Sequence, residues 1–427
     1  MITQVYHNPN TTEWDTLLQR PTHSNPELNA QVQAILHDVQ LHGDAAVLRN
    51  ALKWDEYTHN QYTVTPLEIS EALHTIEPAL KQAIDVAYNN IKKFHQAQCI
   101  TEPVIETMPG VHCWRRSVPI QKVGLYIPGG TAPLLSTVLM LGVPAQLAGC
   151  PHTILCTPVQ GNAPVHPAIL YAAQLCGISN VYKVGGAAAI AAMAYGTATI
   201  PKVHKILGPG NSYVTAAKQA VQLQGVAIDM PAGPSEVCIL ADDTAIPAYV
   251  AADLLAQAEH GTDSQVILIT TSNELVHKVQ EALTIQCQNI PRKHIATQAL
   301  AHSKIIVFNN LNTAIQCTNA YAAEHLIICT QQAAEVAQLI HTAGSIFIGN
   351  YSPESVGDYA SGTNHTLPTH GYAAAYSGVS VDSFVKKITY QQLSLTGLHN
   401  IAATVVTMAQ AEQLHAHAYA VQVRLQS

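Results

Sequence analysis

The chain has 427 residues and a formal net charge of −8, from 20 basic and 28 acidic side chains. Only 11% of the residues are charged and 48% are hydrophobic, which excludes a basic nucleic-acid-binding protein and a disordered chain. At roughly 100–200 residues per domain, the length predicts more than one domain. The low charge also predicts that part of the surface is buried between subunits.

Histidine is unusually frequent, since the 22 histidines outnumber lysine and arginine together. The nine cysteines are odd in number and never spaced C-x-x-C, which argues against a disulfide framework and a structural zinc site. The sequence starts without an apolar signal segment, and no run reaches the roughly 18 apolar residues of a membrane-spanning helix. We therefore expect a soluble, cytoplasmic protein that binds neither membrane nor nucleic acid.

The first hundred residues have the pattern of helices. Apolar residues at helical spacing follow Asn25 and Pro26, and Gly43 ends this pattern as a C-terminal glycine does. A second helix is predicted to begin after Thr65, because Thr65 and Glu68 have the spacing of a capping box with a proline at the first helical position.

From about residue 120 the pattern changes to short apolar runs, each followed by an alanine-rich helical stretch. Alternating strands and helices predict an α/β fold with parallel sheets, and the number of runs favours two α/β units over one. Residues 380–427 have the pattern of a separate helical segment. The predicted strands are Val123–Ile127, Thr153–Thr157, Val181–Gly185, Lys205–Gly208, Val237–Ala241, Gln265–Thr270, Lys304–Phe308 and Ser345–Gly349.

Glycine loops follow three of these strands, at 129–130, 185–186 and 208–210. Open α/β sheets bind ligands at this end of their strands, where glycine lets backbone amides approach a phosphate or nucleotide. Each loop taken alone is also typical of a tight turn. The chain lacks the P-loop, H-E-x-x-H, G-x-S-x-G and G-x-G-x-x-G motifs, which argues against a P-loop NTPase, a zincin, an α/β-hydrolase and a standard Rossmann dehydrogenase.

Gln257 and His260 are the first candidate metal ligands. They are three residues apart in a predicted helix and therefore share a face, as two ligands of one ion must. The alternative is that His260 only interacts with the dipole at the end of that helix.

Glu324 and His325 form a second candidate pair, a carboxylate beside an imidazole. Both can serve one site only in a loop or at a helix start, and Thr318 and Asn319 make a helix start plausible. Such a pair suits proton transfer near neutral pH. An exposed glutamate beside a stacked histidine is the alternative.

Two segments near the end of the chain also carry polar groups. Residues 353–368 are rich in glycine, proline, asparagine and serine, and an ordered polar loop of this length is usually functional. Glu412 and His417 lie five residues apart in the predicted helical segment and, without further context, have the pattern of a solvated helix face.

In this order, the segments closely resemble the histidinol dehydrogenase family, from about residue 20 to the end of the chain. The matching phrases are VGLYIPGGTAPLLSTVLM, VGGAAAIAAMAYGT, KILGPGN, IDMPAGPSEV, AADLLAQAEH, YAAEHL, PESVGDYASGTNH and EQLHAHA. The resemblance implies oxidation of L-histidinol through L-histidinaldehyde to L-histidine, the last two steps of histidine biosynthesis, with NAD⁺ as the oxidant. It also implies an intertwined homodimer with one Zn²⁺ in each site.

The resemblance further implies a role for individual residues. The zinc ligands would be Gln257, His260, Asp358 and the partner's His417. His325 would accept the hydroxyl proton, and Glu324 would activate the water that hydrates the aldehyde. Tyr126 and Asn211 would contact NAD⁺. The substrate would be lined by the zinc ligands, His325 and three further residues, namely Ser235, His365 and the partner's Glu412.

The family's architecture implies two incomplete Rossmann-like domains with parallel sheets. A discontinuous domain of residues 21–125 and 236–378 would carry the metal and catalytic residues, and residues 126–235 would form an inserted NAD-binding domain. An N-terminal arm, 1–20, and a C-terminal dimerisation segment, 379–427, would complete the chain as small helical segments. Three rival functions remain at this point: a dehydrogenase of another amino alcohol or polyol, a catalytically silent zinc-binding dimer, and a zinc hydrolase.

Overall fold

The computed structural model describes residues 2, 4–20, 26–129, 133–231 and 233–426. Its helices are α1 (Trp14–Leu17), α2 (Pro26–His42), α3 (Asp44–Asp55), α4 (Pro66–Thr75), α5 (Pro78–Gln96), α6 (Leu135–Ala148), α7 (Pro167–Leu175), α8 (Gly186–Tyr195), α9 (Ser212–Gln222), α10 (Pro247–Ala258), α11 (Asn273–Cys287), α12 (Lys293–Ala301), α13 (Leu311–Tyr321), α14 (Ala333–Ala337), α15 (Glu354–Tyr359), α16 (Leu395–Ala411) and α17 (His415–Gln422). Its strands are β1 (Gln4–His7), β2 (Ile105–Met108), β3 (Val111–Pro119), β4 (Lys122–Tyr126), β5 (His152–Cys156), β6 (Asn180–Tyr182), β7 (Lys205–Leu207), β8 (Ala227–Ile228), β9 (Glu236–Ala241), β10 (Gln265–Thr270), β11 (Lys304–Val307), β12 (His325–Cys329), β13 (Ser345–Ile348) and β14 (Val385–Leu393).

The predicted α/β fold with parallel sheets is confirmed. The first sheet has six parallel strands in the order β1-β11-β10-β9-β12-β13, and the second has five in the order β6-β5-β4-β7-β8. When its strands are numbered along the chain, the second sheet has the order 3-2-1-4-5. The first sheet repeats this order with β1 added at its edge.

Each of the eight predicted strands overlaps an observed one, but β12 was not predicted. All five of its residues are buried, as in β9 and β10, but Thr318 and Asn319 were interpreted as the start of a helix, so the apolar run after them was not predicted as a strand. The capping box of α4 is confirmed, since Thr65 accepts from the backbone N–H of Glu68 and the Glu68 side chain accepts from that of Thr65. The helix that ends before Gly43 is also observed, although its predicted first residue, Asn25, lies outside the described residues.

The helices before residue 100 pack on the second sheet. Helix α2 contacts α8 and α9, α5 contacts α6 and α7, and their apolar residues share one core with β4 to β7. This differs from the predicted partition, in which residues 21–125 accompany residues 236–378. Local spacing identifies the apolar face of a helix but not the sheet against which that face is buried.

Residues before 21 belong to the first sheet of the same chain. β1 pairs in parallel with β11, and Trp14, Leu17 and Leu18 are buried against the face of the sheet that α13 covers. The predicted N-terminal arm thus contains an edge strand and a short helix. The strand was not predicted, because four residues are too few to give a periodic signal.

A third, antiparallel sheet of order β14-β3-β2 was not predicted. β3 and β14 are mostly exposed or half-buried and mix charged with apolar residues, so neither has an apolar run in sequence. The C-terminal segment therefore contains a nine-residue strand as well as α16 and α17. Among the described residues, no helix is both long enough and apolar enough to cross a membrane.

Candidate functional site

Glu324 and His325 lie where β12 begins, at the amino end of the first sheet. Ala322, in a left-handed conformation with φ of 50°, caps the end of α13, and β12 starts at His325. The prediction of a helix start here is wrong, because Thr318 and Asn319 form the last turn of α13. The pair instead occupies a junction between a loop and a strand, so both side chains can serve one site.

Glu324 is held by a reciprocal pair of hydrogen bonds with Glu236, the first residue of the neighbouring strand β9. The Glu324 carboxylate accepts from the backbone N–H of Glu236 at 2.9 Å, and the Glu236 carboxylate accepts from that of Glu324 at 3.3 Å. Arg20 donates two hydrogen bonds, of 2.7 and 2.9 Å, to the Glu236 carboxylate, and its guanidinium lies 3.9 Å from the centre of the Tyr321 ring. The N-terminal segment thus fixes the position of Glu324 through Glu236.

Replacing Arg20 by methionine should lower the free energy of unfolding by about 3 kcal/mol, since it leaves a buried carboxylate without its cation. The side chain of that carboxylate, Glu236, is only 1% exposed. Denaturant unfolding measures the loss. Arg49→Met is the matched control, because Arg49 pairs with Asp38 at the surface and its removal should cost less than about 1 kcal/mol. Equal losses in the two variants would contradict this assignment.

Three carboxylates surround the His325 imidazole. Its Nδ1 lies 3.4 Å from Glu354 and 3.7 Å from Glu324, and its Nε2 lies 3.5 Å from Asp358. Its ring stacks on Phe347 with 5.9 Å between the ring centres. His325, Glu324 and Glu354 are all buried, so little solvent screens this cluster.

Burial and mutual charge shift the pKa values of this cluster. Burial alone would lower the pKa of His325, but Glu354, Glu324 and Asp358 raise it to about 10. Burial raises the pKa of Glu324 to about 7 and that of Glu354 to about 8, against the opposing effect of His325. Burial would raise the pKa of Asp358 too, but the histidines beside it, His325 first, lower it. Perturbed values of this kind are typical of functional sites.

The same cluster could hold a metal ion. Ligand atoms of His325, Glu354 and Asp358 lie within 4.8 Å of one another. Both ring nitrogens of His325, Oε2 of Glu354 and Oδ1 of Asp358 are buried with no hydrogen-bond partner among the described residues. Buried polar atoms are rarely left without partners unless a ligand, ion or water supplies them.

Gln257 and His260 adjoin this cluster. With its amide nitrogen towards Glu354, Gln257 accepts from the backbone N–H of Glu236 through its oxygen at 3.2 Å. Burial lowers the pKa of His260, and the charges of Asp358 and His325 act on it in opposite directions, the first raising and the second lowering it. The predicted helix does not reach His260, because α10 ends at Ala258. A turn in which the N–H of His260 donates to the carbonyl of Gln257 at 3.2 Å keeps the two together.

The loop after α15 connects this cluster to α6, which packs on the second sheet. His365 contacts the backbone carbonyl of Asp358 through Nδ1 at 2.9 Å and Thr137 of α6 through Nε2 at 3.2 Å. Asn364 donates to the carbonyl of Met140 at 2.6 Å. The prediction that residues 353–368 form one irregular polar loop is wrong in part, because Glu354–Tyr359 form α15. The remainder is a loop that links α15 to α6. Ser235, which precedes β9, is half-buried.

Tyr126 and Asn211 lie at the carboxyl ends of β4 and β7 in the second sheet. Tyr126 ends β4 and its hydroxyl accepts from the backbone N–H of Gly186 at 3.1 Å. Asn211 is exposed and caps α9, accepting from Val214. Gly208 follows β7 with φ of 130°, and a Cβ there would lie 2.0 Å from the carbonyl oxygen of Tyr126. The glycine loops thus meet where the strand order reverses, the usual position of a ligand in such sheets.

Glu412 and His417 are not brought to the cluster by their own chain. Both are exposed, and α17, which contains His417, packs on α16. α16 in turn contacts β14 and β2 of the small sheet.

Sequence reasoning missed Glu354, Glu236 and Arg20. Glu354 stands in the polar segment 353–368 that was singled out, so its position there was the available signal. Glu236 and Arg20 lie 216 residues apart, and no local pattern indicates that they form a pair.

A protein-family model described as histidinol dehydrogenase matches residues 18–425. The chain is 54% identical over 417 residues to a histidinol dehydrogenase of Bacteroides thetaiotaomicron, covering 98% of this chain and 97% of the relative. It is 50% identical over 429 residues to a histidinol dehydrogenase of Vibrio vulnificus, covering 100% and 99%. A crystal structure of the histidinol dehydrogenase from Elizabethkingia anophelis superposes with a TM-score of 0.96 at 51% identity, covering 99% of this chain and 98% of that one.

Proposed function

Because this chain belongs to the histidinol dehydrogenase family, and is therefore an oxidoreductase, we propose that it oxidises L-histidinol to L-histidine through L-histidinaldehyde at one site. Two NAD⁺ are reduced in each cycle, which forms the last two steps of histidine biosynthesis. The observation that carries the proposal is the buried cluster of His325, Glu324 and Asp358, which combines a candidate base, a water-activating carboxylate and unpartnered ligand atoms.

We assign the metal of this site as Zn²⁺, held by Gln257, His260, Asp358 and the partner's His417. Oxygen and nitrogen donors without thiolate suit this ion, and the unpartnered oxygen of Asp358 supports the assignment. Glu354 adjoins these ligands and lies 3.4 Å from Nδ1 of His325. When bound, the ion would orient the substrate's imidazole and amine and would lower the pKa of nearby groups.

Against the effect of burial, the three carboxylates raise the pKa of His325 to about 10, and the positive charge of Zn²⁺ bound beside it would lower that pKa and favour the neutral imidazole. In this neutral form His325 accepts the hydroxyl proton of L-histidinol as the carbinol carbon is oxidised. Glu324 then removes a proton from the water that adds to the aldehyde, and the hydrate is oxidised to the carboxylate. A pKa of about 7 for Glu324 suits a group that must accept and release a proton near neutral pH. Ser235, His365 and the partner's Glu412 line the substrate, the last of these facing its amine.

We place NAD⁺ along the carboxyl edge of the second sheet, against Tyr126 and Asn211. The 3-2-1-4-5 strand order and the glycine loops support this position. The loop of His365 joins this edge to the buried cluster, so the cofactor and the substrate would meet between the two sheets.

A homodimer with shared sites would complete this arrangement. The C-terminal segment packs on the small sheet and exposes large apolar side chains, among them Leu395, Met408 and Tyr419. Exposed apolar surface of this kind marks an association site. A second copy covering this surface would bring its Glu412 and His417 to the cluster of the first.

Absorbance at 340 nm after addition of L-histidinol and NAD⁺ tests the function. We expect NADH to form, to be lost after the metal is chelated, and to return when Zn²⁺ is added. A dehydrogenase of another amino alcohol or polyol would reduce NAD⁺ with that compound and not with L-histidinol. A silent zinc-binding dimer or a zinc hydrolase would form no NADH with either compound.

A further inference from the structure

Asp55 is a carboxylate that has no role in the proposed oxidation of L-histidinol. It is the last residue of α3, and its backbone carbonyl accepts from Gly161 in the loop after β5 at 2.6 Å. Among the described residues, no donor makes a hydrogen bond to its side chain. Burial accordingly raises the pKa of Asp55 to about 6, so the group is mostly ionised above neutral pH.

The surroundings of Asp55 are the carboxyl ends of the second sheet. A Cβ at Gly185 would lie 3.3 Å from Oδ2 of Asp55 and 2.5 Å from Pro158, which follows β5. A Cβ at Gly129, which follows β4, would lie 2.5 Å from the carbonyl oxygen of Pro158. Beside Gly185, the Cβ position of Gly186 meets no atom within 4 Å. Backbone is thus closely packed around the carboxylate while space remains open next to it.

The strand order of the second sheet places the Asp55 carboxylate where dinucleotide-binding sheets have a ribose-binding acidic residue. In dinucleotide-binding sheets, an acidic residue about twenty positions after the glycine loop, where the second strand ends, binds the ribose 2′-hydroxyl. Here the second strand is β5, and residues 157–166 after it contain no aspartate or glutamate. Asp55 reaches the same place from α3, and its bond with Gly161 fixes it there.

We propose that the Asp55 carboxylate accepts hydrogen bonds from the ribose hydroxyls of the adenosine half of NAD⁺, and that it selects NAD⁺ over NADP⁺. This inference rests on the proposed function. An NADP⁺ molecule would place its 2′-phosphate against the carboxylate, where two negative charges repel each other in a partly desolvated position.

Isothermal titration of the zinc-loaded protein with NAD⁺ and with NADP⁺ tests the proposal. Asp55→Asn should weaken NAD⁺ binding about tenfold, the typical loss for hydrogen bonds to a charged group. It should also reduce the preference for NAD⁺ over NADP⁺ by about tenfold or more. Glu56→Gln is the matched control, because it removes the same charge from the exposed next residue and should leave both affinities unchanged. An unchanged preference in Asp55→Asn, or an equal change in Glu56→Gln, would overturn the proposal.

A change in the ligand provides a test that does not depend on the folding of a variant. NAD⁺ that lacks the 2′-hydroxyl of its adenosine ribose should bind the wild-type chain about tenfold more weakly than NAD⁺. Equal affinity would overturn the role of Asp55. If wild type binds neither dinucleotide and forms no NADH from L-histidinol, the proposed function itself fails, whereas loss of the Asp55 effect in an active enzyme overturns this inference alone.

Discussion

Replacing Glu324 by glutamine should leave the first oxidation of L-histidinol nearly intact and stall the second. Glutamine keeps the oxygen that accepts the backbone N–H of Glu236, so the fold of the site should persist. The variant cannot deprotonate water, and losing a general base typically slows a step about 10²- to 10⁴-fold. Stopped-flow absorbance at 340 nm should record one NADH per site in the first turnover, where the wild type gives two.

The control for this result is Glu281→Gln, which removes a carboxylate from an exposed position on α11. It should form two NADH per site at the wild-type rate. Two equivalents at the wild-type rate from Glu324→Gln would refute the assignment of Glu324 as the group that activates water. Loss of the first equivalent as well would show that Glu324 also serves the first oxidation.

Mixing two inactive variants should restore formation of L-histidine if the sites are shared between subunits. His417→Ala retains Glu324, and Glu324→Gln retains His417. A mixed dimer therefore contains one site with both residues intact and one site with neither. Random pairing makes half of the dimers mixed, so the recovered activity should approach roughly a quarter of that of wild type. The measurement is L-histidine formed after the two chains are coexpressed.

The matched control pairs Glu324→Gln with His325→Ala. Both of these residues lie in the same cluster of one chain, so every site of a mixed dimer retains a defect. This pair should show no recovery. Recovery in the control, or its absence in the first pair, would contradict the proposal that His417 serves the neighbouring subunit.

Local patterns in the sequence were sufficient for much of the fold. Alternating apolar runs and helical stretches predicted the parallel sheets, and the capping box at Thr65 marked the start of α4 to the residue. Both signals are carried by neighbouring residues, whose spacing reflects the period of a helix or strand. β12 was missed because it follows the helical stretch of α13 after only three residues, so its residues were interpreted as part of a helix.

The candidate site was only partly visible in sequence. Gln257, Glu324 and Asp358 stood in recognisable segments, and the structure brings their neighbourhoods together at the amino end of the first sheet. Arg20 and Glu236 gave no signal, because a bond across 216 residues exists only after β9 and the N-terminal segment have packed. The same holds for Asp55, whose position beside β5 depends on where α3 docks.

The composition has two unusual features, the low fraction of charged residues and the abundance of histidine. The low fraction of charged residues is a property of the sequence alone, and it predicts that part of the surface is buried between subunits. The exposed apolar residues of the C-terminal segment are the surface that such an interface would cover. The abundance of histidine indicated no particular site. Only the tertiary structure distinguishes His325, whose ring is buried among three carboxylates, from the exposed His417. Local spacing determines secondary structure, whereas a chemical environment is set by groups that are distant in sequence and meet only in the folded chain.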